Sequence, residues 1–251
     1  MSQRSADILV FVPTYNEIGN VDTLCDEILA LDLRLDLLFV DDDSPDGTGQ
    51  ALDRLAAEHA NVSVIHRPGR QGIGMAHIVG ITRAYELGYR QLVTMDCDGA
   101  HPPQYIPDFL EAGKSASVVV GSRFLRGGSL PGWSLFRRIL TRMGHWLTET
   151  MLGMGYDATG AFRLYDLEQV PLHAWDTVRS RGYSFFFESL YVFHVNGFSI
   201  AEVPIHLPAR TQGHSKMNLR EILRSVKLLL TTFLASLFDK KRFRIRDPQE
   251  P

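Results

Sequence analysis

The chain has 251 residues, 45% of them hydrophobic and 22% charged, enough for one large α/β domain with a full core. A formal net charge of -3 argues against a general polyanion binder. The two cysteines, Cys25 and Cys97, offer neither a disulfide framework nor a zinc site and fit a reducing cytosol.

The N-terminal MSQRSADILVFVPTYNE leads straight into a strand and lacks the charged, apolar and cleavage regions of a signal peptide, so none is expected. ILVFV (8–12) is a continuous apolar run of buried-strand type, followed by a helix over about 20–31. LLFV (37–40) and a helix over about 48–59 come next, then VSVI (62–65) and a helix over about 74–87. QLVTM (91–95) leads to a segment opened by Pro102 and Pro103 that turns helical to about 112, and SVVVG (117–121) closes the series. Short apolar strands alternating with helices predict right-handed βαβ units and a mostly parallel sheet. Ligands of such sheets bind beyond the carboxyl ends of the strands. Those ends carry PTYNE (13–17), DDDSPDG, RPGRQG, DCDGAH and GSRF (121–124), polar or rich in Gly and Pro.

Each rim segment has a plain structural reading beside the functional one. Ser44 and Asp46 in VDDDSPDGTG (40–49) suit a turn and a helix cap. Asp41 and Asp42, packed at a strand end, call instead for ligands such as hydroxyls, base N–H groups or a cation. Asp96 and Asp98 form a D-x-D after the fourth strand, which alone is as much a polar strand cap as a metal and substrate site. No G-x-x-x-x-G-K-[ST] loop and no dinucleotide G-x-G-x-x-G fingerprint occurs, and Gly72-Ile73-Gly74 by itself is weak.

The second half is less regular. Residues 132–152 read as one or two helices with an arginine-rich face, 158–165 hold a short strand, and FFFESLYVFHV (185–195) is a strongly apolar helix or strand. FSIAEVPIHL (198–207) is strand-like, with Pro204 marking an edge or an end. Over 210–246 ten basic residues (Arg210, Lys216, Arg220, Arg224, Lys227, Lys240, Lys241, Arg242, Arg244, Arg246) face two acidic ones, Glu221 and Asp239. Arg220, Arg224 and Lys227 fall on one helical stripe with leucines and Phe233 around the rest, and KKRFRIR (240–246) follows. This pattern predicts a helix lying in a membrane interface with a basic anchor, too short and charged to span.

Taken in order, PTYNE, DDxSxDGT, Arg67 followed by GxGxA, and the D-x-D resemble the family 2 glycosyltransferases of the GT-A fold. GSRF, LFRRILTRMGHWLT, DATGAFRLY, FFFE and EVPIHLPARTQGHSKMN narrow the resemblance to dolichyl- or polyprenyl-phosphate mannosyltransferases, over about 8–218. The resemblance implies an α/β GT-A domain over 1–217 with a mostly parallel central sheet, and an amphipathic interfacial helix with basic tail over 218–251. It implies a nucleotide-diphosphate sugar donor, with GDP-mannose first, and a polyprenyl or dolichyl monophosphate acceptor. Asp98 would hold Mg²⁺ or Mn²⁺ with Asp96 alongside. Pro13, Tyr15, Glu17, Val40, Asp42, Asp96, Cys97, Arg123, Arg210 and Lys216 would line the donor, and Thr141 and Arg142 would meet the acceptor phosphate; Asp98, Arg123 and Arg142 are the catalytic set. Two positions after Asp98, where the family has Gln or Ser, this chain has Ala100. The same resemblance implies a protein peripheral on the cytoplasmic face of a membrane, brought to the lipid either by this helix or by a membrane-anchoring subunit, with no nucleic acid among its partners. The alternatives are transfer of another sugar, such as glucose from UDP-glucose, to undecaprenyl phosphate, and a non-catalytic sugar-nucleotide-binding protein.

Overall fold

The computed structural model describes residues 5–125, 135–206 and 219–246, except for the side chains of 136–138, 140–141, 219–226 and 240. Strands β1 (Ile8–Thr14), β2 (Leu35–Asp41), β3 (Val62–His66), β4 (Gln91–Thr94), β5 (Val118–Ser122), β6 (Arg163–Asp166) and β7 (Ile200–Pro204) form one sheet in the order β3-β2-β1-β4-β6-β5-β7. Only β6 runs antiparallel to its neighbours, β4 and β5. β7 pairs with β5 alone, so Pro204 lies on an edge, as its missing N–H requires. Helices α1 (Val21–Leu29), α2 (Thr48–Glu58), α3 (Ile73–Glu86), α4 (Ile106–Ala112), α5 (Leu135–Leu152), α6 (Ser184–Val195) and α7 (Leu219–Phe238) complete the fold.

The strand runs are apolar throughout because both faces of the sheet are covered. In β1, Val10 and Val12 pack with Leu24 and Ile28 of α1, Leu52 of α2 and Phe109 of α4. Leu9 and Phe11 point the other way, into a core shared with Ala76, Ile81 and Ala84 of α3 and the phenylalanines of α6. α6 is buried at every position from Phe185 to Phe193, which accounts for a run with no polar face. Burial on all sides removes the periodicity that separates helix from strand, and length decides for the helix.

α7 buries Leu229 and Thr232, and the chain after it turns back onto α6 through Phe243, buried against Tyr191. Its outer face carries Leu230, Leu234, Leu237 and Phe238, all exposed. Leu135, Ile139, Met143 and Trp146 are likewise exposed on α5, which the single helix Leu135–Leu152 places on one stripe at helical spacing.

Candidate active site

The carboxyl ends of β1, β2 and β4 meet at one rim, and the two neighbouring aspartates of β2 part company there. Asp41 is buried and turns inward. Its Oδ1 accepts from Thr14 Oγ1 at 3.1 Å and Ser44 Oγ at 2.6 Å, and its Oδ2 accepts from the Ser44 backbone N–H at 3.0 Å. The partners sought for Asp41 are therefore the turn itself. Asp46 accepts from Thr48 N–H at 3.0 Å and Ile18 N–H at 3.2 Å, while Thr48 Oγ1 accepts from Glu17 N–H at 2.9 Å. These bonds tie the PTYNE segment to the start of α2 and hold Tyr15 and Glu17 at the rim.

Asp42 sits beside Arg67, Oδ1 to Nη1 at 2.9 Å, and both side chains are more than nine-tenths buried. Burial pushes the Asp42 carboxyl up from its ordinary value and the Arg67 charge opposes it. The pair is close but poorly aligned for a hydrogen bond, and the Arg67 Nη2 has no hydrogen-bond partner among the described residues. Above it the Arg70 guanidinium lies 4.7 Å from the centre of the Tyr15 ring. Pro13 and Val40, paired in register across β1 and β2, are both buried.

The D-x-D closes the rim from β4. The Asp96 N–H donates to His101 Nδ1 at 2.9 Å, which makes that nitrogen the acceptor and puts the ring proton on Nε2. His101 is buried against Phe162, with Nδ1 3.7 Å from the Asp96 carboxylate. It shapes the turn from behind. Asp98 Oδ1 accepts the Ala100 N–H at 3.0 Å. The Asp96 and Asp98 side chains stay half-exposed, while Cys97 between them is buried. Burial raises the Cys97 thiol far above its ordinary range, and the carboxylates of Glu17, Asp98 and Asp96 raise it further. Glu17 and both aspartates thus share one field. Asp96 and Asp98 are hard oxygen donors, and Mg²⁺ is characteristically held by one or two carboxylates with substrate phosphates completing its shell. Among the described residues no group of three or more His, Cys, Asp and Glu is placed to hold a metal ion by itself.

Arg123 stands at the end of β5 in a bidentate pair with Asp157, Nε to Oδ2 at 2.7 Å and Nη2 to Oδ1 at 2.5 Å, and also donates to Thr159 Oγ1. Burial alone would raise Asp157, but the Arg123 charge and hydrogen bonds overturn it and hold the carboxyl below its ordinary value. On α5, Arg142 is exposed, and His145 one turn on stacks on Phe124 at 4.0 Å, next to Arg123. That stack brings the Arg142 helix to the β5 end of the rim. Arg210 and Lys216 lie outside the described residues, as does the side chain of Thr141.

Two residues that the motifs did not single out hold the second half in place. Arg163 is fully buried and donates to Gly160 O, Ala158 O, Phe186 O and Ser189 Oγ, fastening the loop before β6 to α6. An arginine flanked by apolar residues, AFRLY, is the only sequence signal for it. Asp157 is the other; its N–H donates to Glu202 Oε1 at 2.9 Å. His77 is a neutral core side chain, its pKa lowered to about 4 by burial among Phe11, Phe185 and Phe186. Gly72 and Gly74 answer to packing: a Cβ on either would come within 2.9 or 2.7 Å of the Arg181 carbonyl oxygen, which accepts the Gly74 N–H.

The model of the family described as Glycosyl transferase family 2 matches residues 9–175. An undecaprenyl-phosphate mannosyltransferase from Micrococcus luteus is 37% identical over 212 residues, 84% of this chain and 87% of that protein. A polyprenol monophosphomannose synthase from Mycolicibacterium smegmatis is 37% identical over 224 residues, 86% of this chain and 83% of that protein. Among solved structures, glucosyl-3-phosphoglycerate synthase from Mycobacterium tuberculosis, bound to Mn²⁺, UDP and glucosyl-3-phosphoglycerate, superposes with a TM-score of 0.62. Its identity is 22%, over 96% of this chain and 81% of that one. A mannosyltransferase from Pyrobaculum calidifontis, bound to GDP-Man and Mn²⁺, superposes at 0.56 with 18% identity, over 100% of this chain and 68% of that one. At such identities these structures share the GT-A fold with this chain.

Proposed function

The chain belongs to glycosyl transferase family 2 and is a glycosyltransferase, and from that premise we propose that it transfers mannose from GDP-mannose to a polyprenyl monophosphate. The relatives that are 37% identical over most of both chains support the sugar and the acceptor. The observation that carries the reading is that Glu17, Asp42 and the Asp96–Asp98 pair follow the carboxyl ends of the adjacent parallel strands β1, β2 and β4. Arg123 ends β5, and the Arg142 helix meets it where His145 stacks on Phe124.

In this reading the base lies over Tyr15 and meets Asp42 and Arg67, an acceptor and a donor in one pocket. Pro13 and Val40 form its apolar floor, Glu17 faces the ribose side, and Asp96 and the Cys97 backbone run along the sugar. Asp98, with Asp96, would hold Mg²⁺ or Mn²⁺, which neutralises charge on the diphosphate as it leaves. A lipid phosphate, with a second pKa of about 6, is already an anion near neutral pH. Its oxygen attacks the anomeric carbon, the new C–O bond forms, and the bond to the diphosphate breaks with its electron pair on the leaving nucleotide. No strong base is needed. Cations must instead hold two anions together, and Arg123, Arg142, Arg210 and Lys216, with the Thr141 hydroxyl, take that part. A single displacement inverts the anomeric carbon. The test is transfer of labelled sugar to polyprenyl phosphate from GDP-mannose, UDP-glucose and UDP-mannose. GDP-mannose is expected to turn over at least about tenfold faster, giving a β-linked product by NMR. Preferential use of a UDP donor, or a retained α linkage, would sink the assignment.

The acceptor is a membrane lipid, and we assign its approach to the exposed apolar residues of α5 and α7 and to the exposed basic residues Lys241, Arg244 and Arg246 after Phe238. Among the described residues no helix is long and apolar enough to cross a membrane. Leu230, Leu234 and Phe238 beside Lys241, Arg244 and Arg246 instead suit an in-plane contact with anionic lipid on the cytoplasmic face. The chain is expected to float with anionic vesicles at low salt and to release as salt rises toward ~0.5 M, where screening shortens electrostatic reach to a few ångströms. Failure to float at any ionic strength would shift the anchoring to a partner subunit.

A further inference from the structure

The chain after α7 is fastened to α6 and to the residues that follow it at several points. Phe243 is buried, its carbonyl accepts from Asn196 Nδ2 at 2.7 Å, the Ile245 N–H donates to Asn196 Oδ1 at 3.1 Å, and Arg244 Nη1 donates to Val195 O at 2.7 Å. Within the same turn, Lys240–Phe243, the Arg242 Nη2 lies 3.6 Å from Glu188 Oε1. Glu188 is a carboxylate only 3% exposed in the apolar helix α6, and Arg242 is the cation paired with it among the described residues. Its other oxygen, Oε2, accepts the backbone N–H groups of Arg179 at 3.2 Å and Ser180 at 2.7 Å.

The next residue, Arg181, accepts the Gly74 N–H at 2.9 Å, and its carbonyl stands where any Cβ on Gly72 or Gly74 would collide. Those glycines begin α3 and directly follow the loop that carries Arg67, paired with Asp42, and Arg70, over Tyr15. A continuous line of contacts therefore runs from the C-terminal turn through Glu188 and residues 179–181 to the rim.

We propose that Arg242 is a positioning residue for the donor pocket: by neutralising buried Glu188 it fixes the 179–181 segment, which seats the first turn of α3 and with it the Arg67–Arg70 loop. The physical cause is the cost of a buried carboxylate without a counter-charge. Remove the cation and Glu188 gains by drawing in water or turning outward, and either movement releases the Arg179 and Ser180 N–H groups. The donor half of this inference rests on the reading of the rim as a nucleotide site; the mechanical half does not. It also joins the segment assigned to the lipid surface to the pocket assigned to the soluble substrate.

The test uses the full chain in four forms: wild type, Arg242→Ala, Arg242→Lys and Lys114→Ala, the last removing an exposed charge just after α4, away from this line of contacts. Hydrogen exchange without ligand should show the amides of Ser180 and Gly74 exchanging about tenfold faster in Arg242→Ala, with β1 and β2 unchanged. Binding of GDP and of UDP should weaken about five- to tenfold in the same variant, while the KM for polyprenyl phosphate stays put. Arg242→Lys should restore both readouts, and Lys114→Ala should match wild type. Unchanged exchange at Ser180 and Gly74, or exchange rising evenly over the whole chain, overturns the coupling. So does equal loosening in Lys114→Ala. If no nucleotide binds wild type, the functional reading fails, and the exchange pattern still decides the coupling.

Discussion

Asp98→Asn is expected to lower the rate of sugar transfer by about 10²- to 10³-fold, the range seen when one preorganised electrostatic contact to developing charge is removed. The substitution is chosen for what it retains. Asp98 Oδ1 accepts the Ala100 N–H, and an asparagine amide oxygen does the same, so the turn survives. What goes is the negative charge that would hold a divalent cation against the diphosphate. The residue two positions on sharpens the expectation, because Ala100 has no side-chain ligand to offer. With fewer protein oxygens in the set, each carboxylate carries a larger share of the affinity, and excess Mn²⁺ should recover part of the loss. Initial rates at saturating donor, with metal titrated, check it. A rate within about threefold of wild type would remove Asp98 from the chemistry.

Asp157→Ala is expected to have the largest effect on stability. Arg123 is only 13% exposed at its side chain and is held by the carboxylate at two atoms, so deleting Asp157 strands a buried guanidinium. Breaking a buried pair by removing one partner costs about 3–5 kcal/mol. For a chain of this size that is a fall in Tm of about 10 °C. The pH dependence follows from linkage. The Asp157 carboxyl is held below its ordinary value in the folded state, so the unfolded chain binds the proton more readily. The stabilisation is complete above the unfolded value, near 3.8, and is lost as pH falls through the lower folded value. Melting curves between pH 3 and 7 should therefore show a wild-type advantage over Asp157→Ala that is flat near neutrality and shrinks below about pH 4. An advantage that grew on acidification would contradict the pairing.

The first half of the fold was legible because its signals are local. Continuous apolar runs ending in Gly, Pro and Asp clusters mark β1 to β5 and point their polar ends to one rim. Asp41 and Asp42 mark the limit of that kind of reading. They are adjacent and chemically identical, yet one is consumed by its own turn and the other faces Arg67, a partner supplied by the end of β3. GIG in α3 is similar: its glycines answer to a carbonyl more than a hundred residues downstream. Arg163 reads as a surface cation until the loop and helix that accept its protons are folded around it. That the D-x-D, Tyr15 and Glu17 follow strand ends was legible; the bonds made by His101, Asp157 and Glu188 were not, since a supporting side chain is defined by tertiary neighbours.

The lone antiparallel strand, β6, has a consequence for how such a protein can change. It inserts between β4 and β5, so the strand ending in the aspartates and the strand ending in Arg123 stand two ladder steps apart, about 9–10 Å. Running the other way, it delivers its entry loop, with Asp157 and Thr159, to the same rim. Everything assigned to the nucleotide base lies before this divide in the chain, and the acceptor-side residues come from β5 onward. A wedge one strand wide thus stands between the strand ends that carry these two groups of residues. A change around β5 therefore reaches the nucleotide-side strands either across β6 or by way of the 179–181 segment that meets the start of α3.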